Sequence, residues 1–285
     1  MKRIIIMAAA LVSACSFLAA DLTAKSSVKF PKVPNKGRTA IVAHRGFWDC
    51  DEAKHSENSI QSLRLAQEYG LWGSECDIQL TSDDVPIVFH NNNVDGVRIW
   101  DHPWSSFEAH RLPNGEKIPT LDEYLVQARK SKTTILVIEL KKQLNTSRED
   151  RLLDLTFEKL HQYGLYNPKR VIFITFSKHM CERIAKEAPK FVNQYLNGEL
   201  DPAQLRELDI NGFDYETTVV KKNPGWTADA HKLGMSVNVW TVNKADDMRW
   251  YIDNGVDAIT TNDPLLLRQL LGSNEFRKAR KFRRD

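Results

Sequence analysis

From Thr39 onward the chain repeats one pattern: a short apolar run followed by a stretch of helical periodicity. The apolar runs fall at 39–44, 73–79, 134–141, 170–176, 191–196, 211–216, 236–241 and 256–261. Helical patterns lie near 58–69, 120–130, 148–163, 178–187, 202–208, 225–233, 245–253 and 264–271, so there are eight strand–helix units in series. Strands that alternate with helices pair in parallel, because each helix is the crossover that returns the chain to the same end of the sheet. Eight units in about 250 residues suit a closed (β/α)8 TIM-type barrel, an α/β fold that forms one domain. An open doubly wound sheet is the competing architecture, but the first strand is not followed by the Gly-rich loop of the dinucleotide-binding type. No Pro/Gly/Ser linker interrupts residues 39–274, which read as the barrel domain.

One unit is irregular. The second run continues to Thr81, Ser82-Asp83-Asp84 reads as a turn, and Val85 to His90 is a second extended run. It follows too closely to be the next parallel strand, so 74–90 reads as a β-hairpin rising above the barrel mouth. With Asp83 and Asp84 as a two-residue loop, Asp77 lies opposite His90.

The ends read differently from the body. Lys2 and Arg3 precede an uncharged apolar run from Ile4 to Ala20 that ends in small residues, which identifies 1–24 as a signal peptide for export. Val12-Ser13-Ala14-Cys15 has the form of a bacterial lipobox, which would lipidate Cys15; ordinary cleavage near Ala20 or Ala24 is the rival. The expected location is the bacterial periplasm or cell envelope, or outside the cell. Residues 25–38 read as an N-terminal linker, and 275–285 as a basic tail with six Lys/Arg and two acids. The formal net charge of +3 therefore belongs to the ends: without Lys2, Arg3 and the tail, residues 21–274 carry −3. Lipidated Cys15 or the tail would supply any membrane-surface association. An acidic body argues against nucleic acid, whose backbone needs several distributed cations. Cys50, Cys76 and Cys181 have neither CxxC nor zinc-like spacing, and a Cys50–Cys76 disulfide is left open.

The chemistry sits at strand ends. Residues two apart in a strand share a face, so Glu75 points with Asp77, and Glu139 with Lys141. Both pairs lie toward the C-terminal ends of their strands, where barrel active sites are built. One such pair alone reads as a solvated strand face; two pairs on neighbouring strands, in otherwise apolar runs, read as a site. Inward carboxylates repel one another unless a cation or a shared proton is present. Glu75, Asp77 and Glu139 are hard oxygen ligands suited to a divalent metal ion, Ca²⁺ or Mg²⁺. His44 ends the first strand and His90 ends the hairpin, which makes them candidates for general acid and base. Arg45 and Lys141 add cations at the same end, and such a combination fits a phosphate.

These residues carry a resemblance. His44-Arg45-Gly46, Glu57-Asn58-Ser59, Glu75-Cys76-Asp77-Ile78-Gln79-Leu80-Thr81 and Val88-Phe89-His90 resemble, in order, blocks of the glycerophosphodiester phosphodiesterase family. Ile118 to Glu123, Ile138 to Lys141, Trp240 to Asn243 and Gly255 to Thr261 are similar to its later blocks, so the likeness spans roughly 39–271. The resemblance implies a barrel that hydrolyses glycerophosphodiesters to glycerol 3-phosphate and an alcohol. It implies metal ligands at Glu75, Asp77 and Glu139, acid–base histidines at His44 and His90, and phosphate-binding cations at Arg45 and Lys141. Asn58 matches a position lining the site, although Asn is also favoured as a helix N-cap. Trp240 matches an aromatic at the mouth that packs on glycerol, or it simply fills the barrel. The family usually has Asp where this chain has Asn91 and Asn262. The segment 91–117, with Trp100, Trp104 and Phe107, corresponds to a small insertion that would shape the alcohol side of the pocket.

The expected function is metal-dependent phosphodiester hydrolysis of a small-molecule glycerophosphodiester. One alternative is a phospholipase of similar barrel type acting on intact lipids, with residues 97–107 supplying an apolar docking rim. A second is a barrel that binds a phosphate ligand without catalysis, which would be expected to have lost a histidine or a ligand.

Overall fold

The computed structural model describes residues 28–33 and 39–272. The signal peptide with Cys15, most of the 25–38 segment and the 275–285 tail lie outside the described residues. Eight parallel strands close into a barrel in the order β1 (Ala40–Ala43), β2 (Gly73–Leu80), β6 (Ile135–Leu140), β7 (Val171–Thr175), β8 (Val192–Tyr195), β9 (Gly212–Glu216), β10 (Ser236–Trp240) and β11 (Ala258–Thr261), with β11 pairing back to β1. Seven lie inside the apolar runs read from the sequence, and β2 runs one residue past the 73–79 run, to Leu80. β3 (Pro86–Val88) pairs antiparallel with β2, and β4 (Asn93–Val94) with β5 (Val97–Arg98) forms a separate two-stranded ribbon.

The helices are α1 (Ile60–Glu68), α2 (Leu121–Ala128), α3 (Thr146–Gln162), α4 (Lys178–Glu187), α5 (Pro202–Glu207), α6 (Thr217–Lys222), α7 (Trp226–Lys232), α8 (Ala245–Asp253) and α9 (Pro264–Gly272). Their starts follow from local chemistry. Ser59, Asn145 and Ser177 accept the backbone N–H three residues on, and Thr120/Glu123 and Asp201/Gln204 form capping boxes. The sequence pattern did not separate α6, six residues that follow β9 directly.

Alternation divides the barrel residues between two environments. On β2, Cys76, Ile78 and Leu80 pack outward with Leu63, Tyr124 and Leu153 of the surrounding helices. Glu75 and Asp77, on the opposite face, point into the barrel. Lower in the interior, Ala40, Val42, Ile135, Val137, Ile172, Ile174, Val192 and Ala258 make an apolar floor. Val28, Phe30 and Val33 pack onto that floor. Phe30 stacks on Trp72 at 5.0 Å, and the Trp72 indole N–H donates to the Lys32 carbonyl at 3.2 Å. A segment read as linker thus contributes a plug. Cys50, Cys76 and Cys181 are free thiols.

The hairpin exists, but its register is one residue from that expected. Ile78 pairs with Val88 and Leu80 with Pro86, so Asp77 lies opposite Phe89 rather than His90. The reason is the loop. Asp84 donates to the Thr81 carbonyl and adopts φ of +64°, so the connection is a three-residue loop of Ser82, Asp83 and Asp84. A type I turn followed by one left-handed residue is the usual form at that length. Beyond Val88 the chain leaves the ladder, and the Gln79 amide donates to the carbonyls of Phe89, His90 and Asn91. The β4–β5 ribbon turns on Asp95-Gly96, both at positive φ.

The insertion spends its apolar residues internally. Ile99 and Phe107 are buried in a cluster with Ile87, Val94, Leu112 and Ile118. Of the large apolar side chains between 97 and 107, Ile99 and Phe107 are buried, Trp100 and Trp104 are half-buried and Val97 is exposed.

Because the plug lies at the end of the barrel remote from the strand C-termini, stability and catalysis should separate there. Phe30→Ala is expected to cost roughly 1–3 kcal/mol of stability and to leave turnover within about twofold of wild type. Thermal unfolding and steady-state kinetics on the same preparation check this.

Candidate active site

The site begins where β1 ends. His44 donates its backbone N–H to the Thr261 carbonyl at 3.0 Å, and the next two residues turn sharply, Arg45 at φ +54° and Gly46 at φ +81°. A Cβ at Gly46 would lie 2.3 Å from the Ser62 hydroxyl oxygen and 2.8 Å from its backbone, so only glycine fits. The turn aims two backbone N–H groups at β2: Arg45 N–H donates to Glu75 Oε2 at 2.7 Å and Gly46 N–H to the Glu75 carbonyl at 3.1 Å. Arg45 pays steric strain of about 1–2 kcal/mol for that conformation, offset by these bonds.

Asn58, also left-handed at φ +55°, closes the loop over Asp77. Its amide donates to Asp77 Oδ2 at 2.8 Å while its oxygen accepts the Asp77 backbone N–H at 3.1 Å. The N-cap of α1 is its neighbour Ser59, so Asn58 does not cap the helix and its side chain is engaged with Asp77 instead. Glu116, from the insertion, accepts the Ile60 N–H at 2.9 Å and ties the insertion to the start of α1.

Register supplies the third carboxylate. Asp77 pairs with Glu139 across β2 and β6. Glu75, Asp77 and Glu139 present oxygens within 4.8 Å of one another and are 2%, 1% and 9% exposed. Lys141 stands 2.8 Å from Glu139 Oε1 and 3.3 Å from Asp77 Oδ1. Arg45 pairs with Glu57 at 2.6 Å, and its Nε lies 3.6 Å from Asp77 Oδ2. Glu75 Oε1 is buried with no hydrogen-bond partner. An orphaned carboxylate oxygen beside two further carboxylates fits a hard divalent cation.

The electrostatics agree. Burial, with the charges of Asp77 and Glu139, raises the Glu75 carboxyl well above its ordinary range. Burial and the Asp77 charge push Glu139 up to about 7. Burial opposes ionisation of Asp77 too, but Lys141, His90, Arg45 and the Asn58 amide hold it below the usual carboxylate value. Lys141 is raised against its own burial by Glu139 and Asp77. Burial and the Arg45 charge lower His44 to about 4. His90 is lowered by burial, Lys141 and Arg45, with Asp77 opposing.

Trp240, the last residue of β10, lies at the same end. Its indole N–H donates to the Asp214 carbonyl at 2.9 Å, and its ring meets Phe176 edge-on at 5.7 Å. Phe176 follows β7, so this pair bridges non-adjacent strands across the mouth. Sequence reasoning missed Phe176, which looked like the last residue of an apolar run. It also missed Asp214, buried on β9. Asp214 accepts from Asn238 at 2.9 Å, its Oδ1 has no partner, and burial together with Glu139 raises it well above the ordinary value. The isolated carboxyl in an apolar strand was the available signal.

Comparison with known proteins agrees with this arrangement. The model of the glycerophosphoryl diester phosphodiesterase family matches residues 44–266. A glycerophosphodiester phosphodiesterase of Caldanaerobacter subterraneus is 28% identical over 250 residues, covering 82% of this chain and 98% of that protein. The crystal structure of a glycerophosphodiester phosphodiesterase from Parabacteroides distasonis superposes with a TM-score of 0.81 at 38% identity, covering 85% of this chain and all of that one. A phosphodiesterase of Oleispira antarctica, solved with the product sn-glycerol-3-phosphate, is similar in fold, with a TM-score of 0.68 at 21% identity over 83% of this chain and 98% of that one.

The carboxylate cluster makes metal-free stability fall with pH. Glu139, at about 7 when folded against 4.5 in its ordinary state, contributes stability below the lower value that is lost as pH rises through the upper one. Ca²⁺ or Mg²⁺ at one fixed concentration, about 100 times its dissociation constant at pH 8, should raise Tm there by roughly 5–10 °C. The rise should be larger at about pH 8 than at about pH 6, because protons compete for the same oxygens. Differential scanning fluorimetry with and without EDTA measures it; an equal or smaller shift at the higher pH would contradict the assignment.

Proposed function

Because the chain belongs to the glycerophosphoryl diester phosphodiesterase family, we propose that His44 and His90 carry the proton transfers of its reaction and that Glu75, Asp77 and Glu139 hold its divalent metal ion. The chain is a phosphoric diester hydrolase, and the family reaction is hydrolysis of glycerophosphodiesters to glycerol 3-phosphate. The observation that carries the assignment is convergence. Two imidazoles, two cations and three buried carboxylates, drawn from β1, β2, β6 and the hairpin, are gathered around Asp77.

Substrate binding falls to Arg45 and Lys141. Glu57 holds the Arg45 guanidinium, and Asp77 and Glu139 hold the Lys141 ammonium, so both cations are positioned before substrate arrives. Their remaining donors can take phosphate oxygens and stabilise charge that grows in the transition state. A bound Ca²⁺ or Mg²⁺ would supply Lewis-acid polarisation of the phosphodiester. One histidine accepts a proton from the nucleophile, water or the adjacent glycerol hydroxyl, as its oxygen attacks phosphorus. The other enters the step as an imidazolium and donates its Nε2 proton to the alcohol oxygen as the P–O bond breaks, returning to the neutral form. The Phe176–Trp240 pair offers an apolar surface for the glycerol carbons. The product bound to the Oleispira enzyme supports the glycerol 3-phosphate side of this reading.

We further propose export, with residues 1–24 as the leader and either lipidation at Cys15 or cleavage near Ala20 or Ala24. No helix among the described residues is long and apolar enough to cross a membrane. Mass spectrometry of the mature N-terminus distinguishes the two routes.

With glycerophosphocholine as substrate, His44→Ala and His90→Ala should each lower kcat by about 10²–10⁴-fold. Asp77→Asn should abolish turnover and its response to added metal. Turnover at the wild-type rate by the double histidine variant, or undiminished turnover in EDTA, would overturn the mechanism.

A further inference from the structure

Each site histidine has one hydrogen-bonded ring nitrogen, and in both cases the partner is an asparagine. His44 Nδ1 lies 2.7 Å from Asn262 Oδ1, across 218 positions of sequence. His90 Nδ1 lies 3.0 Å from Asn91 Oδ1. No described residue bonds Nε2 of either ring. An amide oxygen can only accept, so the ring nitrogen facing it carries the hydrogen.

We propose that Asn262 and Asn91 are positioning residues for the hydrolysis, locking both histidines in the Nδ1–H tautomer so that Nε2 is the nitrogen that exchanges protons with substrate. The proposal rests on the acid–base reading of His44 and His90 and goes beyond it by naming what orients the rings. The Asn262 side is the more firmly built. Its backbone N–H donates to Asn243 Oδ1 at 2.9 Å, and the Thr261 hydroxyl donates to the same oxygen at 3.2 Å. The Thr261 carbonyl accepts the His44 N–H at 3.0 Å. The turn after β11 is thereby pinned both to the turn after β10 and to the end of β1, and the amide oxygen is presented on a braced support. Asn91 is exposed and holds its neighbour from a segment anchored through its own carbonyl by Gln79.

The amides also differ from a carboxylate in what they do to charge. A carboxylate in this position orients an imidazole and stabilises its cation; an amide oxygen orients it with little bias toward the charged form. The charged groups acting on His44 are Arg45, Asp77 and His90, and those acting on His90 are Asp77, Lys141 and Arg45. Replacing Asn262 by Asp would add a negative charge directly at Nδ1.

The test compares Asn262→Leu, which keeps the shape and removes the acceptor, with Asn262→Asp, which keeps an acceptor. His44→Ala is assayed beside them with glycerophosphocholine. Asn262→Leu is expected to lose about 10²-fold in kcat, with KM within about threefold of wild type. Asn262→Asp should recover most of that loss and move the acidic limb of the kcat/KM profile upward by about one pH unit. Asn262→Leu turning over within about threefold of wild type, or Asn262→Asp as inactive as Asn262→Leu, overturns the proposal. If His44→Ala is itself fully active, the acid–base reading has failed and the proposal falls with it; if His44→Ala is inactive while Asn262→Leu is active, only the positioning role has failed. Long-range ¹H–¹⁵N spectra of the unmodified protein supply a readout independent of any variant's folding. At a pH where the rings are neutral both should show the Nδ1–H tautomer, and a neutral Nε2–H tautomer in either ring overturns the assignment for that ring.

Discussion

The site is organised around a single charge. Asp77 is almost fully buried and yet stays ionised, because Asn58 donates to one of its oxygens, Lys141 stands beside the other, and Arg45 approaches from above. A buried carboxylate without such partners would take up a proton. With them it becomes the fixed negative centre to which Glu75 and Glu139 must adjust, and both are raised by its charge. Three carboxylates cannot all be charged in that space unaided. The arrangement suits a cation, and Glu75 Oε1, which has no hydrogen-bond partner among the described residues, is its geometric counterpart.

The rest of the barrel serves that centre from both ends. Below, the interior is aliphatic and sealed by Val28, Phe30 and Val33. Above, the strand ends carry polar groups, and the connecting turns converge through backbone bonds. The left-handed Arg45–Gly46 turn aims N–H groups at Glu75. The left-handed Asn58 spans to Asp77, and the turn after β11 reaches back to His44. Strained loop conformations are concentrated here because the surrounding strands supply enough hydrogen bonds to hold them.

Much of this was legible in the sequence, for physical reasons that can be named. Apolar runs separated by helical periodicity specify parallel strands with crossovers, and seven of the eight barrel strands fall within the runs while β2 exceeds its run by one residue. The inward pairing of Glu75 with Asp77, and of Glu139 with Lys141, follows from the two-residue repeat of a strand. What was not legible depended on local turn geometry or on distant contacts. The hairpin register turned on whether Asp84 adopts a left-handed conformation, which two- and three-residue loops decide differently. Asp95-Gly96 carried a ribbon signal inside a segment too short for strand periodicity. Phe176 and Asn262 act at the mouth through contacts with Trp240 and His44, and nothing in their own neighbourhoods marks those partners. The plug at 28–33 is a few apolar residues in a stretch whose Pro, Lys and Ser content resembles a linker.

The central claim is that Asp77 is held ionised in order to complete a three-carboxylate cation site. Isothermal titration of the metal-free protein with Ca²⁺ and with Mg²⁺ near pH 7, in buffers of different ionisation enthalpy, tests it most directly. The account predicts one ion per chain, with proton release on binding because Glu139, raised to about 7, is partly protonated beforehand, and loss of both binding and release in Asp77→Asn. Binding without proton release, or binding that survives Asp77→Asn unchanged, would contradict it.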